Sequence, residues 1–403
     1  MSRTGTGDVK DYEITDYNEE SLMLHSIYNG KLEIVSKTQV RTNNDLATIY
    51  LPGVAEPCMF IAKDPESARR YTIKSNTVAV VSDGSAVPGI GNIGGLAALP
   101  AMEGKAVLLK EFGGVDAFPV CLDTQDVDEI VETVGHIAPA FGGICLEGIS
   151  APRCFEIEKR LVEGLDIPVF HDGRHGASIA VGAAVINAFR FLGKQLTYAH
   201  AVVSGAGAAG AAIAKTLYTL GIRDIVVCDS KGAIGATRLP EFGEDKLELL
   251  EFTNKEGLTG GLDEAVMGRD LFVGVSKPDV LTERMVRSMA DDPVVFALSS
   301  PAPEIQPELA KAAGARVVGT GMPGAPNQVT GALASPGIFR GALDARASGI
   351  TEAMRAAAMH ALAGMVSDEE LSEDHVLPSV FRDGLAAAVA GAVAEAWVRH
   401  GEG

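Results

Sequence analysis

The chain has 403 residues, 34 Lys and Arg against 53 Asp and Glu, and a formal net charge of −19, which allows two or three domains with sizeable cores. It shows no basic patch and no interleaving of basic and aromatic residues, so nucleic acid and anionic membrane are not expected partners. Five scattered cysteines without a C-x-x-C pair point to a reduced, cytoplasmic setting, and the polar, acidic opening MSRTGTGDVKDYEITDYNEE reads unlike a signal or transit peptide.

In chain order, residues 1 to about 20 read as a mobile or partner-embracing arm, Glu20 to Asn29 as helix and Lys31 to Val40 as extended chain. From Thr77 to Val169 the short apolar runs TVAVVSD, AVLLKEF, AFPVCL, GGICLE and PVFHD read as strands. They alternate with helix-like segments, Asp126 to Ala138 and Ala151 to Gly164, in the manner of an α/β fold. Gly89, Gly91 and Gly94 spell G-x-G-x-x-G, but Pro100 interrupts the segment that follows, and the run Ala106 to Leu109 ends in Lys110 and Glu111 without a terminal Asp. This copy predicts a close-packed glycine loop near a site and not a second nucleotide fold. The Ala-rich runs Ala177 to Phe189 and Gly384 to Val398 are too short to span a membrane and are expected to be buried helices.

The segment from Ala201 to Gly232 reads as strand, glycine turn, helix, strand and acid. Gly205, Gly207 and Gly210, with Ala206 and Ala208 between them, form a second G-x-G-x-x-G: a tight turn, a close backbone approach to a pyrophosphate, and a close helix–strand contact. The pyrophosphate would sit on the N–H groups of the helix that begins there. Asp229 closes the next strand, where a carboxylate can accept ribose hydroxyls and so suits NAD. Ser230 and Lys231 suit the 2′-phosphate of NADP, so both cofactors remain open. Further strands at Leu271 to Val275, Val294 to Leu298 and Ala315 to Val318 complete a doubly wound sheet, and the chain after Asn327 turns helical. The expected division is an α/β substrate domain, 1–172 joined by a helical segment 331–403 that packs back on it, and a Rossmann-type nucleotide domain, 173–330.

Ligands of such sheets bind beyond the carboxyl ends of parallel strands. Glu147 ends GGICLE, His171 and Asp172 end PVFHD, Lys105 precedes AVLLKEF, and Tyr50 stands before Leu51-Pro52-Gly53. Each alone has an ordinary structural explanation.

Together, the segments IYLPGVAEPC, VAVVSDGSAVPGIGNIGGLAALPAMEGKAVLLKEFGGVDAFPVCLDTQD, FGGICLEGISAPRCFEIE, IPVFHDGRHG and VVSGAGAAGAAIAKTL resemble the short bacterial malic enzymes from about Asn18 onward. The resemblance implies a homodimer with Tyr50 near the interface, and an NAD- or NADP-dependent oxidation of a 2-hydroxy acid such as malate. Loss of the β-carboxylate as CO₂ and protonation of the enol would follow. It implies Tyr50 as general acid, Lys105 as acceptor of the hydroxyl proton, and Asp172 as support for Lys105. A lysine base near neutrality needs its pKa moved down by about two or three units, which burial favours and Asp172 opposes.

The resemblance also implies a divalent metal on three carboxylates. Here only Glu147 keeps its acid; the other two positions are Gly148 and Gly173. A substrate-binding asparagine falls at Ser300, Asn327 is kept, and the family's next asparagine falls at Gly331. These losses gather at the metal and the substrate carboxylate, which predicts altered substrate handling. Arg174, in place of the usual glutamine, is expected to occupy the vacated space and bind a substrate carboxylate. The alternatives are a metal-independent, non-decarboxylating dehydrogenase, separable by product analysis, and a catalytically silent NAD-binding paralogue, separable by turnover.

Overall fold

The computed structural model describes residues 16–400; residues 1–15, most of the expected arm, lie outside that range. Two parallel sheets follow one another along the chain. The first contains β1 (Thr77–Ser82), β2 (Asp116–Cys121), β3 (Gly143–Leu146) and β4 (Val169–His171) in the order β2-β1-β3-β4. Strand β1 is buried at every position, as expected for a central strand covered on both faces.

The second sheet contains β5 (His200–Ser204), β6 (Asp224–Asp229), β7 (Gly232–Ala233), β8 (Leu271–Gly274), β9 (Val294–Ala297) and β10 (Val317–Thr320). Its order is β10-β9-β8-β5-β6-β7, parallel except for the short β7. The order reverses at β5, and the glycine turn after β5 therefore lies at a topological switch point. Lys31 to Val40 joins neither sheet.

One expected strand is a helix. Lys105 and the run AVLLKEF lie within a single helix, Gly95–Gly113, with Pro100 inside it. Its buried residues Ala98, Met102, Ala106, Leu109 and Gly113 recur every three or four positions, a helical stripe that the Val-Leu-Leu run conceals. Pro100 falls in the second turn, where it removes one backbone hydrogen bond without ending the helix. The preceding glycine segment folds on itself: Ile93 and Gly94 N–H both donate to Gly84 O (3.0 and 3.3 Å), and a Cβ at Gly84 would lie 2.2 Å from Gly94 O. A Cβ at Gly89 would lie 2.9 Å from Ser300 Oγ, so this loop of the first sheet abuts the loop after β9 of the second.

The helix Asp172–Leu192 runs from the end of β4 toward the second sheet and is buried along most of its length. It packs on the helix Ala208–Thr219 and on the C-terminal helix Glu352–Gly364. Gly182 permits the second contact, because a Cβ there would stand 2.1 Å from Met359 Sδ. The helix Ser335–Asp344 packs back on Gly95–Gly113, and Leu385–His400 covers both C-terminal helices. Asn187, fully buried, donates from Nδ2 to Ala363 O and Val376 O, both at 2.9 Å. Asn187→Leu takes the side-chain donor from Val376 O and leaves Ala363 O only its backbone donors, Met365 N and Val366 N, and is expected to lower unfolding free energy in urea by about 1–3 kcal/mol.

Candidate active site

Three charged groups meet where β3 and β4 end. Glu147 follows β3 directly, its N–H donating to Val81 O at 2.9 Å, and Asp172 opens the long helix after β4. Lys105 reaches them from Gly95–Gly113: its Nζ donates to Asp172 Oδ2 and lies 3.1 Å from Glu147 Oε2. All three residues are removed from water, with side-chain exposures of 15 % for Lys105, 9 % for Glu147 and 4 % for Asp172.

Asp172 is fitted into this position by small neighbours. Ser335 Oγ donates to its Oδ1. A Cβ at Gly176 would lie 2.1 Å from that same Oδ1, and one at Gly331 would lie 3.2 Å from Oδ2. Gly331 thus leaves the carboxylate its room.

The electrostatics correct the expectation for Lys105. Burial draws its pKa down, but attraction by Asp172 and then Glu147 outweighs burial, and the pKa rises above its ordinary value. Burial pushes the Asp172 carboxyl up, while Lys105 and Ser335 hold it below the usual carboxylate value. Lys105 therefore rests as an ammonium. Glu147, which the resemblance implies as a metal ligand, is here the second carboxylate beside that ammonium.

The residues present do not fit the implied three-carboxylate metal centre. Among the described residues no group of three His, Cys, Asp or Glu side chains is placed to hold a metal. Gly148 has φ +66°, a left-handed conformation that strains an aspartate, and a Cβ there would lie 3.0 Å from Ser82 Oγ. A Cβ at Gly173 would lie 3.8 Å from Glu147 Oε1, so this glycine faces the remaining carboxylate but offers it no partner.

The other expected residues lie elsewhere. Arg174 is two positions from Asp172 on one helix, a spacing that points side chains to different faces. Its Nη1 donates to Glu158 Oε2 (2.7 Å), its guanidinium stands 4.8 Å from the Phe155 ring centre, and it lines a cleft of about 830 Å³ that excludes Lys105, Glu147 and Asp172. Asn327 spends its amide on the backbone: Nδ2 donates to Val318 O (3.0 Å) and Glu373 O (2.8 Å), and Oδ1 accepts from Val376 N (2.7 Å). Ser300 is exposed beside Gly89. Tyr50 ends the helix Asn43–Ile49, is 64 % exposed, and makes no hydrogen bond through its hydroxyl among the described residues. Lys105, Glu147 and Asp172 are brought together; Tyr50, Arg174, Ser300 and Asn327 make no hydrogen bond or ion pair with them among the described residues.

The second sheet carries a cradle that fits a dinucleotide. Gly205 has φ +114° and its N–H donates to Cys228 O (2.8 Å), which lays the turn beside the end of β6. A Cβ at Gly210 would lie 1.7 Å from Gly205 O, while one at Gly207 meets nothing within 4 Å. Gly210 is thus needed for packing, and Gly207 leaves open space at the start of the helix Ala208–Thr219, next to Ala206 and Ala208. Glu304 was not singled out from the sequence. Fully buried, it accepts from Ser276 N (2.8 Å) and Ser299 N (3.0 Å), tying the loops after β8 and β9 together. Its signal is Gly274, where a Cβ would lie 2.3 Å from the Glu304 carboxyl carbon.

A Rossmann-type cradle on one sheet and a buried lysine–carboxylate cluster at the strand ends of the other are the parts of a dinucleotide-dependent oxidoreductase. The comparisons name its kind. Residues 29–162 match the malic enzyme N-terminal domain and residues 175–398 the malic enzyme NAD binding domain, so the chain belongs to the malic enzyme family. It is 53 % identical over 383 residues to the bifunctional malic/malolactic enzyme of Bacillus subtilis, covering 95 % of this chain and 93 % of that one. To the NAD-dependent malic enzyme of Geobacillus stearothermophilus it is 49 % identical over 393 residues, covering 98 % and 81 %. Among solved structures, the NAD-dependent malic enzyme of Thermotoga maritima superposes with a TM-score of 0.89 at 43 % identity, covering 93 % and 98 %.

Glu158 anchors Arg174 and also pairs with His175 Nε2 (2.8 Å). Burial pushes its carboxyl up, but His175 and Arg174 pull it further down, from 4.5 to about 2. A depressed carboxylate adds stability above its unfolded pKa and loses it as pH falls toward the folded one. Glu158→Gln is expected to cost about 3–5 kcal/mol at neutral pH, measured by urea unfolding. It should also remove the part of the acid destabilisation that develops between pH 4.5 and about 2.

Proposed function

We propose that this chain is an NAD(P)-dependent malic enzyme that oxidises a 2-hydroxy acid, malate or an analogue, and releases its β-carboxylate as CO₂, without a divalent metal. The observation that carries the reading is the Lys105 ammonium shared by Asp172 and Glu147, with glycine at the two other positions where the resemblance implies metal-binding acids.

Gly205, Gly207 and the start of Ala208–Thr219 would hold the pyrophosphate of NAD or NADP, whose nicotinamide would supply the acceptor for the hydride that leaves C2. Lys105 receives the C2 hydroxyl proton as it passes one of its own to Asp172, so the cluster gains one proton. The ammonium then faces the new C2 oxygen. When the bond to the β-carboxylate breaks, its electrons move onto that oxygen, and Lys105 stabilises the resulting enolate. Tyr50 protonates C3 and regains its proton from the cluster, which returns to its starting charge. Products are a 2-oxo acid, CO₂ and the reduced cofactor. A charge-assisted hydrogen bond contributes about 1.5–3 kcal/mol, less than the several kcal/mol of a Lewis-acid metal, so slower decarboxylation is expected than at a metal centre.

A homodimer completes this site. The helices Asn43–Ile49 and Ala55–Lys63 bury none of their residues, and Leu46, Ile49, Leu51, Met59 and Phe60 stand exposed around Tyr50. Such a patch suits a second copy of this chain, which would carry Tyr50 toward a proton-transfer cluster.

The test is product analysis with L-malate: reduced cofactor and stoichiometric CO₂ in the presence of EDTA support the reading, and a strict need for Mg²⁺ or Mn²⁺ sinks it. Reduced cofactor without CO₂ would favour the non-decarboxylating alternative. Lys105→Ala and Tyr50→Phe should each lower kcat by about 10²–10⁴-fold, the usual worth of a proton-transfer group. Gly173→Asp, which sets a second carboxylate beside Glu147, should create Mn²⁺ binding measurable by titration.

A further inference from the structure

The cleft that Arg174 lines, about 830 Å³, is bounded by the helices Arg153–Gly164, Asp172–Leu192, Ala208–Thr219, Glu244–Leu250 and Glu352–Gly364. Neither the cluster of Lys105, Glu147 and Asp172 nor Gly205, Gly207 or Asp229 lines it, so it belongs neither to the proton-transfer site nor to the dinucleotide cradle. Its volume is that of a small-molecule site, about 300–1,000 Å³.

The wall is apolar at Phe155, Ile179, Phe252 and Met359 and carries two half-buried guanidiniums, of Arg174 and Arg355, with side-chain exposures of 28 % and 27 %. Arg174 spends Nη1 on Glu158, while its Nε is buried without a partner and its Nη2 makes no hydrogen bond among the described residues. Arg355 has less: Nη1 reaches Ile350 O at 3.4 Å, and Nη2 lies 3.8 Å from the exposed Glu352. Burial draws the Arg355 pKa down, Glu158 and Glu352 only partly oppose it, and Arg174 adds its like charge. Two neighbouring guanidiniums with unused donors make a receptor for an oxyanion.

The remaining charges limit the shape of that anion. The exposed ones are mostly acids, Glu156, Glu244, Glu248 and Glu352 against Lys159 and Lys215. Acids at the mouth repel a ligand charged along its length and accept one with a single anionic head. The apolar walls favour an apolar remainder.

The head position also touches the neighbouring site. Glu158 accepts from Arg174, from His175 and from the backbone N–H of His171 (3.2 Å), the residue before Asp172. An anion on Arg174 and Arg355 would therefore tie the first turn of Asp172–Leu192 to the helix Glu352–Gly364.

We propose that this cleft binds an organic acid with one carboxylate and an apolar body, the carboxylate held by Arg174 and Arg355, so that its occupancy is felt in the first turn of the helix that carries Asp172.

The test is calorimetric titration of the whole protein with 4-phenylbutyrate and with 4-phenylbutan-1-ol, which share a body and differ in the head. The acid should bind about ten- to a hundredfold more tightly, as expected for one or two charge-assisted hydrogen bonds. Arg355→Gln should remove most of that difference and leave the alcohol within about threefold. Ala356→Trp, which fills the cleft from the helix Glu352–Gly364, should abolish binding of both and decides the matter even if Arg355→Gln does not fold. Bound acid should also slow amide hydrogen exchange over residues 171–178. No binding of the acid at millimolar concentration overturns the proposal, as do equal affinities for the two probes, binding that survives Ala356→Trp, or unchanged exchange over residues 171–178. Loss of acid binding in Lys105→Ala with Arg355→Gln unaffected would place the acid at the proton-transfer cluster and also overturn it. No arm needs turnover or a bound dinucleotide, so this proposal and the catalytic reading stand or fall separately.

Discussion

Asp172 carries a charge at a position almost closed to water, and such a carboxylate costs several kcal/mol unless paired and hydrogen-bonded. Its partners come from three distant parts of the chain: Lys105 from the helix after the first glycine loop, Ser335 from the C-terminal helices, and its own helix from the end of β4. Meeting that one requirement fixes how the first sheet, the long helix and the C-terminal segment are placed. The glycines at 176 and 331 follow from it, since either side chain would invade the carboxylate.

The same cluster explains why loss of two acids need not empty the site of its chemistry. With glycine at positions 148 and 173, Glu147 shares the Lys105 cation with Asp172, its own Oε2 lying 3.1 Å from Nζ. The ammonium and both remaining acids form a set that balances to one negative charge. A metal centre with three acids would need a dication to reach the same value.

Much of the fold was legible because buried parallel strands are plainly apolar: β1, β3, β5 and β8 stand out as runs bounded by glycine or acid. The helix around Lys105 was not, since Ala-Val-Leu-Leu satisfies a strand pattern locally and Pro100 suggested a break; only the three- and four-residue spacing over the whole segment reveals it. At the site, strand ends predicted Glu147 and Asp172 as neighbours. Arg174 was misplaced because sequence proximity to Asp172 says nothing of helix face, and its true partner Glu158 lies 16 residues back. Asn327 could be read as a ligand group only while its backbone partners, more than forty residues onward at Glu373 and Val376, were unknown. Asp229 was read as an acceptor for ribose hydroxyls, but it accepts from Arg238 (2.9 and 2.8 Å) and Lys246 (2.8 Å), which reach it from two short helices, Ala236–Glu241 and Glu244–Leu250, that nothing in the strand–turn–helix pattern announces.

The touch between Gly89 and Ser300 has a consequence for how the two sheets stand. Residue 89 belongs to the glycine loop that follows β1 and residue 300 to the loop after β9, and a Cβ on the first would lie 2.9 Å from the hydroxyl of the second. A side chain at position 89 would be a wedge between these two loops, displacing the loop of one sheet against that of the other although Lys105, Glu147 and Asp172 are all unaltered.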